Sequence, residues 1–215
     1  MGLDIIETME KLAAESSAQY AISHMLTAKN FKTLHDIHKW AMGKTQHQGH
    51  ILEFGVGSGN TLRLISNLTD SEVFGFDVFS GLPEDWRTGF EKGTFKQEKP
   101  PKTNINAKIV EGLFEESLPI FIERSNISFV KYLHIDCDLY SSTRTVFKNL
   151  FQFITPETII VFDEYFNYAG WEQHEHKAFM EFLEEKGATP RYLAFRSNHQ
   201  QVVAKFSYNK CDKQL

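Results

Sequence analysis

The stretch that decides the fold runs from Leu52 to Gly59 and reads LEFGVGSG. It leads from an apolar strand, which begins at Ile51, into a loop whose three glycines have the spacing G-x-G-x-G. Apolar residues recur at helical period after Asn60, so the sequence predicts a strand, a glycine turn and a helix. Glycines let a backbone approach a ligand closely. The stretch therefore predicts a cradle for a nucleotide cofactor, and the alternative is a tight β-α turn without a ligand.

The charge of Glu53 distinguishes between cofactors. Dinucleotide sites usually read G-x-G-x-x-G and place a pyrophosphate at the helix N-terminus. Glu53 lies two residues before the first glycine, where it would repel a pyrophosphate. It suits a cofactor that has a positive centre and an amino group. S-adenosylmethionine is such a cofactor.

An acidic residue at the end of the next predicted strand supports this interpretation. Asp77 lies eighteen residues after Gly59, and its carboxylate would accept hydrogen bonds from both ribose hydroxyls. We therefore expect the cofactor to contact the loop, the start of the following helix and this strand end. The expected contacts are Glu53, Gly55, Gly57, Gly59, Asn60, Thr61 and Asp77.

Composition narrows the class of protein. The chain has 215 residues, of which 41% are hydrophobic, and this fits one domain with a substantial core. Its net charge is -5 and its Lys and Arg residues are scattered, so we expect no nucleic-acid partner. No apolar run approaches the roughly 20 residues that span a bilayer, and we expect a cytoplasmic protein without membrane contact. Cys137 and Cys211 give no support for a disulfide framework.

Helical and strand-like segments alternate along most of the chain. Residues 1–45 are predicted to form an N-terminal helical cap, and residues 46–215 the main domain. The helices of the main domain are expected near residues 60–67, 114–124, 141–154 and 172–187. The predicted fold is α/β and Rossmann-like, with a mostly parallel seven-stranded sheet that ends in a C-terminal antiparallel hairpin. Its strands are expected near residues 50–56, 73–78, 107–111, 129–136, 158–163, 191–195 and 201–206.

Four carboxylates close two neighbouring predicted strands. Asp136 and Asp138 follow one strand, and Asp163 and Glu164 follow the next. Open α/β sheets bind ligands at this edge, and four charges there repel one another unless a cation or a raised pKa compensates. Oxygen ligands favour Mg²⁺ or Mn²⁺ over zinc. The sequence predicts a metal site, and the alternative is that these acids cap the following helices.

Longer motifs at these positions resemble a known family. HIDCDLYSST begins at His134, FDEY begins at Phe162, and Gly170 and Trp171 follow. Together with GLP at Gly81, they make the chain similar, over about residues 31–206, to the macrocin-type sugar O-methyltransferases of antibiotic biosynthesis, a group that includes mycinose and novobiocin sugar enzymes. The resemblance implies a class I methyltransferase fold, S-adenosylmethionine as methyl donor and a divalent metal.

The resemblance also implies roles for the four carboxylates. Asp136, Asp163 and Glu164 would be metal ligands, and Asp138 would be the general base. Many members of the family have Asp at the position of Glu164, so a ligand there reaches from one methylene further out. If Asp138 is instead a ligand, His174 is the first candidate for the base.

Further cofactor contacts follow from the same resemblance. Asp77 would hold the ribose, and the backbone of Gly112, Leu113 and Phe114 would border the adenine. Asp136 is also among the expected cofactor contacts.

The expected function is metal-dependent transfer of a methyl group from S-adenosylmethionine to a hydroxyl of a small polyhydroxylated acceptor, a sugar or glycoside. The alternatives are a catechol-type O-methyltransferase and a nucleotide-binding module without transfer chemistry. Residues 81–104 lack periodicity and carry three aromatic residues, so we predict a lid, with a disordered surface loop as the alternative. The apolar stripes of the N-terminal cap pack either on the core or on a second subunit, and we favour a homodimer.

Overall fold

The computed structural model describes residues 2, 4–45 and 48–209, and Cys211 lies outside them. Eight strands lie within this part of the chain: β1 (Lys29–Phe31), β2 (His50–Phe54), β3 (Val73–Asp77), β4 (Ala107–Glu111), β5 (Val130–Ile135), β6 (Ile159–Phe162), β7 (Ala188–Arg196) and β8 (Val202–Tyr208). They form one sheet in the order β1-β7-β8-β6-β5-β2-β3-β4. All neighbouring pairs are parallel except those that involve β8.

Helices flank both faces of this sheet. They are α1 (Ile5–His24), α2 (Leu34–Met42), α3 (Asn60–Ser66), α4 (Phe114–Ser125), α5 (Tyr140–Asn149) and α6 (Glu175–Lys186), with a 3-10 turn at Trp171–Gln173. Apolar residues of α2 and α3 form the core on one face, and those of α4, α5 and α6 form the core on the other. No helix among the described residues is long and apolar enough to cross a membrane.

Strand register brings the ends of β2, β5 and β6 together. Phe54 lies opposite Ile135, and Ile135 lies opposite Phe162, so the residues that follow these strands share one edge of the sheet. The backbones are very close there: a Cβ on Gly55 would lie 1.6 Å from the carbonyl oxygen of Asp136. Gly55 is therefore required by the packing of β2 against the end of β5.

The fold class is confirmed, with one correction to the sheet. The sheet has eight strands rather than seven, because β1 lies inside the segment that the sequence predicts as helical and pairs in parallel with β7. β1 separates α1 from α2, and α2 begins after Thr33, whose side chain accepts a hydrogen bond from the Asp36 backbone N–H. A strand of three residues is too short to show an alternating pattern.

Candidate active site

A cavity of about 410 Å³ opens at the edge of the sheet where β2, β3, β4 and β5 end. Eleven of the predicted site residues line it: Gly55, Gly57, Asn60, Thr61, Asp77, Gly112, Leu113, Phe114, Asp136, Asp138 and Glu164. Three predicted residues, Glu53, Gly59 and Asp163, are not part of its wall. The cavity therefore brings the glycine loop, the carboxylates and the segment after β4 into one place.

The carboxylate of Asp77 holds the glycine loop by accepting hydrogen bonds from the backbone of the loop. One carboxylate oxygen, Oδ2, accepts hydrogen bonds from the backbone N–H groups of Val56 (2.8 Å) and Gly57 (2.7 Å). The other, Oδ1, accepts from the N–H of Phe79 at 2.7 Å. Gly57 has a φ of +48°, and a Cβ there would meet no atom within 4 Å. Asp77 thus shapes the cradle, and its contact with a ribose stays a prediction.

Glu53 does not line the cavity, although a carboxylate oxygen of Glu53 lies within 4.8 Å of one of Asp136, which does. It is fully buried and lies opposite His134 on β5, whose Nδ1 is 3.0 Å from its Oε1. Burial raises the pKa of Glu53, and the interaction with His134 lowers it. The expectation that Glu53 contacts the cofactor is not supported by this position. Successive residues of a strand point to opposite faces, and the β2–β5 register places Glu53 against His134.

Gly59 also has a structural role. It is the N-cap of α3 with a φ of +76°, a conformation that favours glycine. A Cβ there would lie 2.8 Å from Cγ of Pro101 and 2.9 Å from a guanidinium nitrogen of Arg63. Gly59 therefore turns the chain into the helix and does not form part of the cavity wall.

The carboxylates of Asp136, Asp163 and Glu164 form a compact group. Each offers an oxygen, and these atoms all lie within 4.8 Å of one another. Burial raises the pKa of Asp136 and of Glu164, and the charge of Asp163 raises both further. One Glu164 oxygen, Oε2, is buried and has no hydrogen-bond partner among the described residues. Three converging carboxylates with an unpartnered oxygen fit the all-oxygen site of a hard divalent cation.

Gln201 and Glu175 hold two members of this group in place through hydrogen bonds. Gln201 donates a hydrogen bond from Nε2 to Oδ1 of Asp163 at 2.7 Å, which fixes that carboxylate although it does not line the cavity. Glu175 is fully buried, and its Oε2 accepts from the backbone N–H of Glu164 at 3.2 Å. Burial raises the pKa of Glu175, as do the charges of Asp138 and Asp163. Glu175 is not among the predicted site residues, because nothing in the local sequence shows that its side chain is buried.

Asp138 stands in the cavity wall in a strained backbone conformation. Its φ is +62°, which is uncommon for a residue other than glycine, and the residue is 8% exposed. Burial and the charge of Asp163 raise its pKa to about 7, whereas Arg87 acts to lower it. Strain of this kind persists only where the surrounding structure enforces it, and it concentrates at functional sites.

The segment of residues 81–104 is folded over this cavity. Its residues Leu82, Pro83, Phe95 and Gln97 line the wall, and the Gln97 backbone N–H donates to the carbonyl of Phe79. Trp86 is buried against the ring of Tyr168, with centroids 5.8 Å apart. The segment therefore contributes to the wall of the cavity, and its role as a lid stays a prediction.

Comparison with known proteins identifies the family. Residues 52–165, more than half of the chain, match the model of a methyltransferase domain. The chain belongs to this methyltransferase family. The matched range includes the glycine loop, Asp77 and the carboxylates at the ends of β5 and β6. No curated protein matches the chain in sequence.

Solved structures of methyltransferases have the same fold. CalS11, a calicheamicin methyltransferase, is 19% identical with a TM-score of 0.66, over 95% of this chain and 94% of that chain. The O-methyltransferase NovP is 16% identical with a TM-score of 0.59, over 93% and 97%. MycE, in complex with Mg, SAH and mycinamycin VI, is 12% identical with a TM-score of 0.55, over 84% and 50%. The predicted class I methyltransferase fold is confirmed.

Proposed function

We propose that this methyltransferase uses S-adenosylmethionine and a divalent metal to methylate a hydroxyl of a small polyhydroxylated acceptor, a sugar or glycoside. The observation that carries the proposal is the carboxylate group of Asp136, Asp163 and Glu164, which stands beside a cavity bordered by a glycine loop. The solved structures with this fold support it. One is described as a TDP-rhamnose 3'-O-methyltransferase, and MycE binds Mg and SAH.

The cofactor would lie along the glycine loop. Gly57 leaves open space beside its Cα, and the carboxylate of Asp77 fixes the loop by accepting a hydrogen bond from the backbone N–H of Gly57. Gly112, Leu113 and Phe114 line the same cavity and would border the adenine. When bound, S-adenosylmethionine supplies an electrophilic methyl group on its sulfonium.

The metal would be held by Asp136, Asp163 and Glu164, with Mg²⁺ or Mn²⁺ as the cations that suit oxygen ligands. A bound divalent cation supplies Lewis acidity that makes an acceptor hydroxyl more acidic. Gln201 holds Asp163 in place, and Glu175 holds the backbone of Glu164. These contacts fix the carboxylates without help from the acceptor.

Asp138 is proposed as the general base. Its carboxylate lines the cavity next to Glu164, so it can accept the proton of a hydroxyl that enters there. A positioned base contributes typically about 10²–10⁴-fold to a rate. The 81–104 segment would exclude water from the reacting groups.

Removal of the metal tests the proposal. The protein is incubated with labelled S-adenosylmethionine and a panel of sugar nucleotides, glycosides and catechol, before and after treatment with a chelator. We expect transfer to a polyhydroxylated acceptor that is lost on chelation and restored by Mg²⁺, while S-adenosylhomocysteine still binds. Full activity after rigorous chelation would remove the metal from the mechanism, and transfer to catechol alone would favour the catechol-type alternative.

A thermal-shift comparison is the control for the cofactor. Only a ligand that binds the native state raises the melting temperature. We expect S-adenosylhomocysteine to raise it and NAD to leave it unchanged, and the reverse result would contradict the assignment of the cofactor.

A further inference from the structure

Arg87 lies among three aromatic rings beside the carboxylates. Its guanidinium carbon is 4.1 Å from the ring centroid of Trp86, 4.8 Å from that of Phe90 and 4.6 Å from that of Tyr168. Backbone hydrogen bonds between residues 86, 87 and 90 form a tight turn that holds this arrangement. The guanidinium is therefore fixed by stacking.

Arg87 has no anionic partner in the part of the chain that the structure describes. Among the described residues no ion pair or side-chain hydrogen bond involves Arg87, although Asp138 is near enough for Arg87 to lower its pKa. A planar guanidinium presents donors in a fork that matches a carboxylate or a phosphate. Its edge is thus available to a ligand.

Buried polar atoms without partners surround the same cation. They are Nε1 of Trp86, Nε of Arg87, the hydroxyl of Tyr168 and Nδ1 of His174. Their side chains touch: the Trp86 and His174 ring centroids are 6.1 Å apart, as are those of Tyr168 and His174. Buried polar groups normally have a hydrogen-bond partner, and Trp Nε1–H and Arg Nε–H can only donate. A ligand that bonds both of these donors therefore needs acceptor atoms, such as the oxygens of an oxyanion.

The position of this cluster relates it to the methyl-transfer site. Burial raises the pKa of Tyr168, and the charges of Glu175 and Glu164 raise it further. Arg87 also acts on Asp138, as described above. His174 of the cluster directly precedes Glu175, whose Oε2 accepts from the backbone N–H of Glu164 at 3.2 Å. The cluster therefore lies next to the carboxylate group, on residues that do not line the cofactor cavity.

We propose that Trp86, Arg87, Tyr168 and His174 form a subsite that binds an oxyanion group, a phosphate or a carboxylate, of the acceptor. This proposal rests on the proposed function. It makes the acceptor more specific, because it assigns a charged group to a molecule that is otherwise described only by its hydroxyls. The anion pairs with the edge of Arg87 and accepts from Trp86 Nε1–H. Binding there holds the acceptor next to Asp138.

The test is a titration of small anions into the whole protein. Inorganic phosphate and, separately, acetate are followed by isothermal titration calorimetry at constant ionic strength with a chelator, with and without S-adenosylhomocysteine. We expect saturable binding of at least one anion, and the anion that binds tells phosphate from carboxylate. Arg87→Gln should weaken it at least about tenfold, since hydrogen bonds to charged groups are among the stronger ones. Trp86→Phe, which keeps a ring and removes one N–H, should weaken it less.

Arg191→Gln is the matched control, because Arg191 is an exposed arginine on β7, and it should bind as the wild type does. Absence of saturable binding, equal binding by Arg87→Gln and wild type, or an equal loss in Arg191→Gln would each overturn the subsite. If Arg87→Gln does not fold, Trp86→Phe and Arg87→Lys decide the question, and unchanged anion affinity in both overturns it. A wild type that binds the anion but not S-adenosylhomocysteine would instead contradict the proposed function.

Discussion

The two sides of the site differ in how their polar groups are satisfied. On the cofactor side, both oxygens of Asp77 accept backbone hydrogen bonds, so the loop is complete without a ligand. On the side of the carboxylates, where we propose that the acceptor binds, Glu164, Trp86 and Tyr168 each keep a buried polar atom without a partner in the described part of the chain. The chain by itself therefore forms the cradle, whereas the side with the carboxylates keeps polar groups that can still take part in hydrogen bonds.

The largest expected effect separates base from ligand on the acceptor side. Asp138→Asn is nearly isosteric, and we expect it to slow transfer by about 10²–10⁴-fold, the usual contribution of a positioned general base. Asp136→Asn should chiefly weaken metal affinity, so excess Mg²⁺ should rescue it in part by mass action. Rates measured across a Mg²⁺ series distinguish the two variants. Rescue of Asp138→Asn by metal would make Asp138 a ligand, with His174 as the next candidate for the base.

A smaller effect is expected on the cofactor side. Asp77→Ala removes the acceptor of two loop N–H groups and, by our prediction, of the ribose hydroxyls. Hydrogen bonds to charged groups contribute roughly 1.5–3 kcal/mol, so affinity for S-adenosylhomocysteine should fall about 10- to 150-fold in calorimetry.

The matched control for this variant is Asp70→Ala, because Asp70 is exposed. It should bind S-adenosylhomocysteine as the wild type does. Unchanged affinity in Asp77→Ala would show that the loop keeps its shape without this carboxylate and that the ribose contact is absent.

The smallest effect on the cofactor is expected at Glu53. Because Glu53 pairs with His134 behind the loop, Glu53→Ala should lower the free energy of unfolding by about 1–3 kcal/mol, the penalty of leaving a buried partner unsatisfied. Affinity for S-adenosylhomocysteine should change by less than about threefold. The corresponding change in binding free energy is well below the roughly 1.4 kcal/mol that a tenfold change requires. Chemical denaturation and calorimetry measure the two quantities.

Glu53→Gln is the control, because its amide can still bond to His134 and should keep more of the stability. A large loss of cofactor affinity in a stable Glu53→Gln protein would restore the electrostatic role that the sequence suggested for this charge.

Much of the fold was predictable because its signals are local. Strand and helix periods, the glycine turn and the polar hairpin connection placed the strands of the main domain within a few residues of their observed ends. β1 was missed because three residues carry no period, and its place at the edge depends on β7, more than 150 residues away. Eleven of the fourteen predicted site residues line the cavity for a related reason: parallel strands end at one edge whatever their exact register.

Carboxylates and a glycine loop meet at the carboxyl ends of parallel strands, and this follows from residue order and strand direction alone, which can be read from the sequence. The pairing of Glu53 with His134 and the need for glycine at position 55 could not be read from the sequence, because both depend on the register of β2 against β5. The tertiary fold also brings Arg87 close to Tyr168 and His174, which lie about 80 residues further along the chain. Contacts between distant segments depend on how whole layers pack, and no local pattern in the chain encodes them.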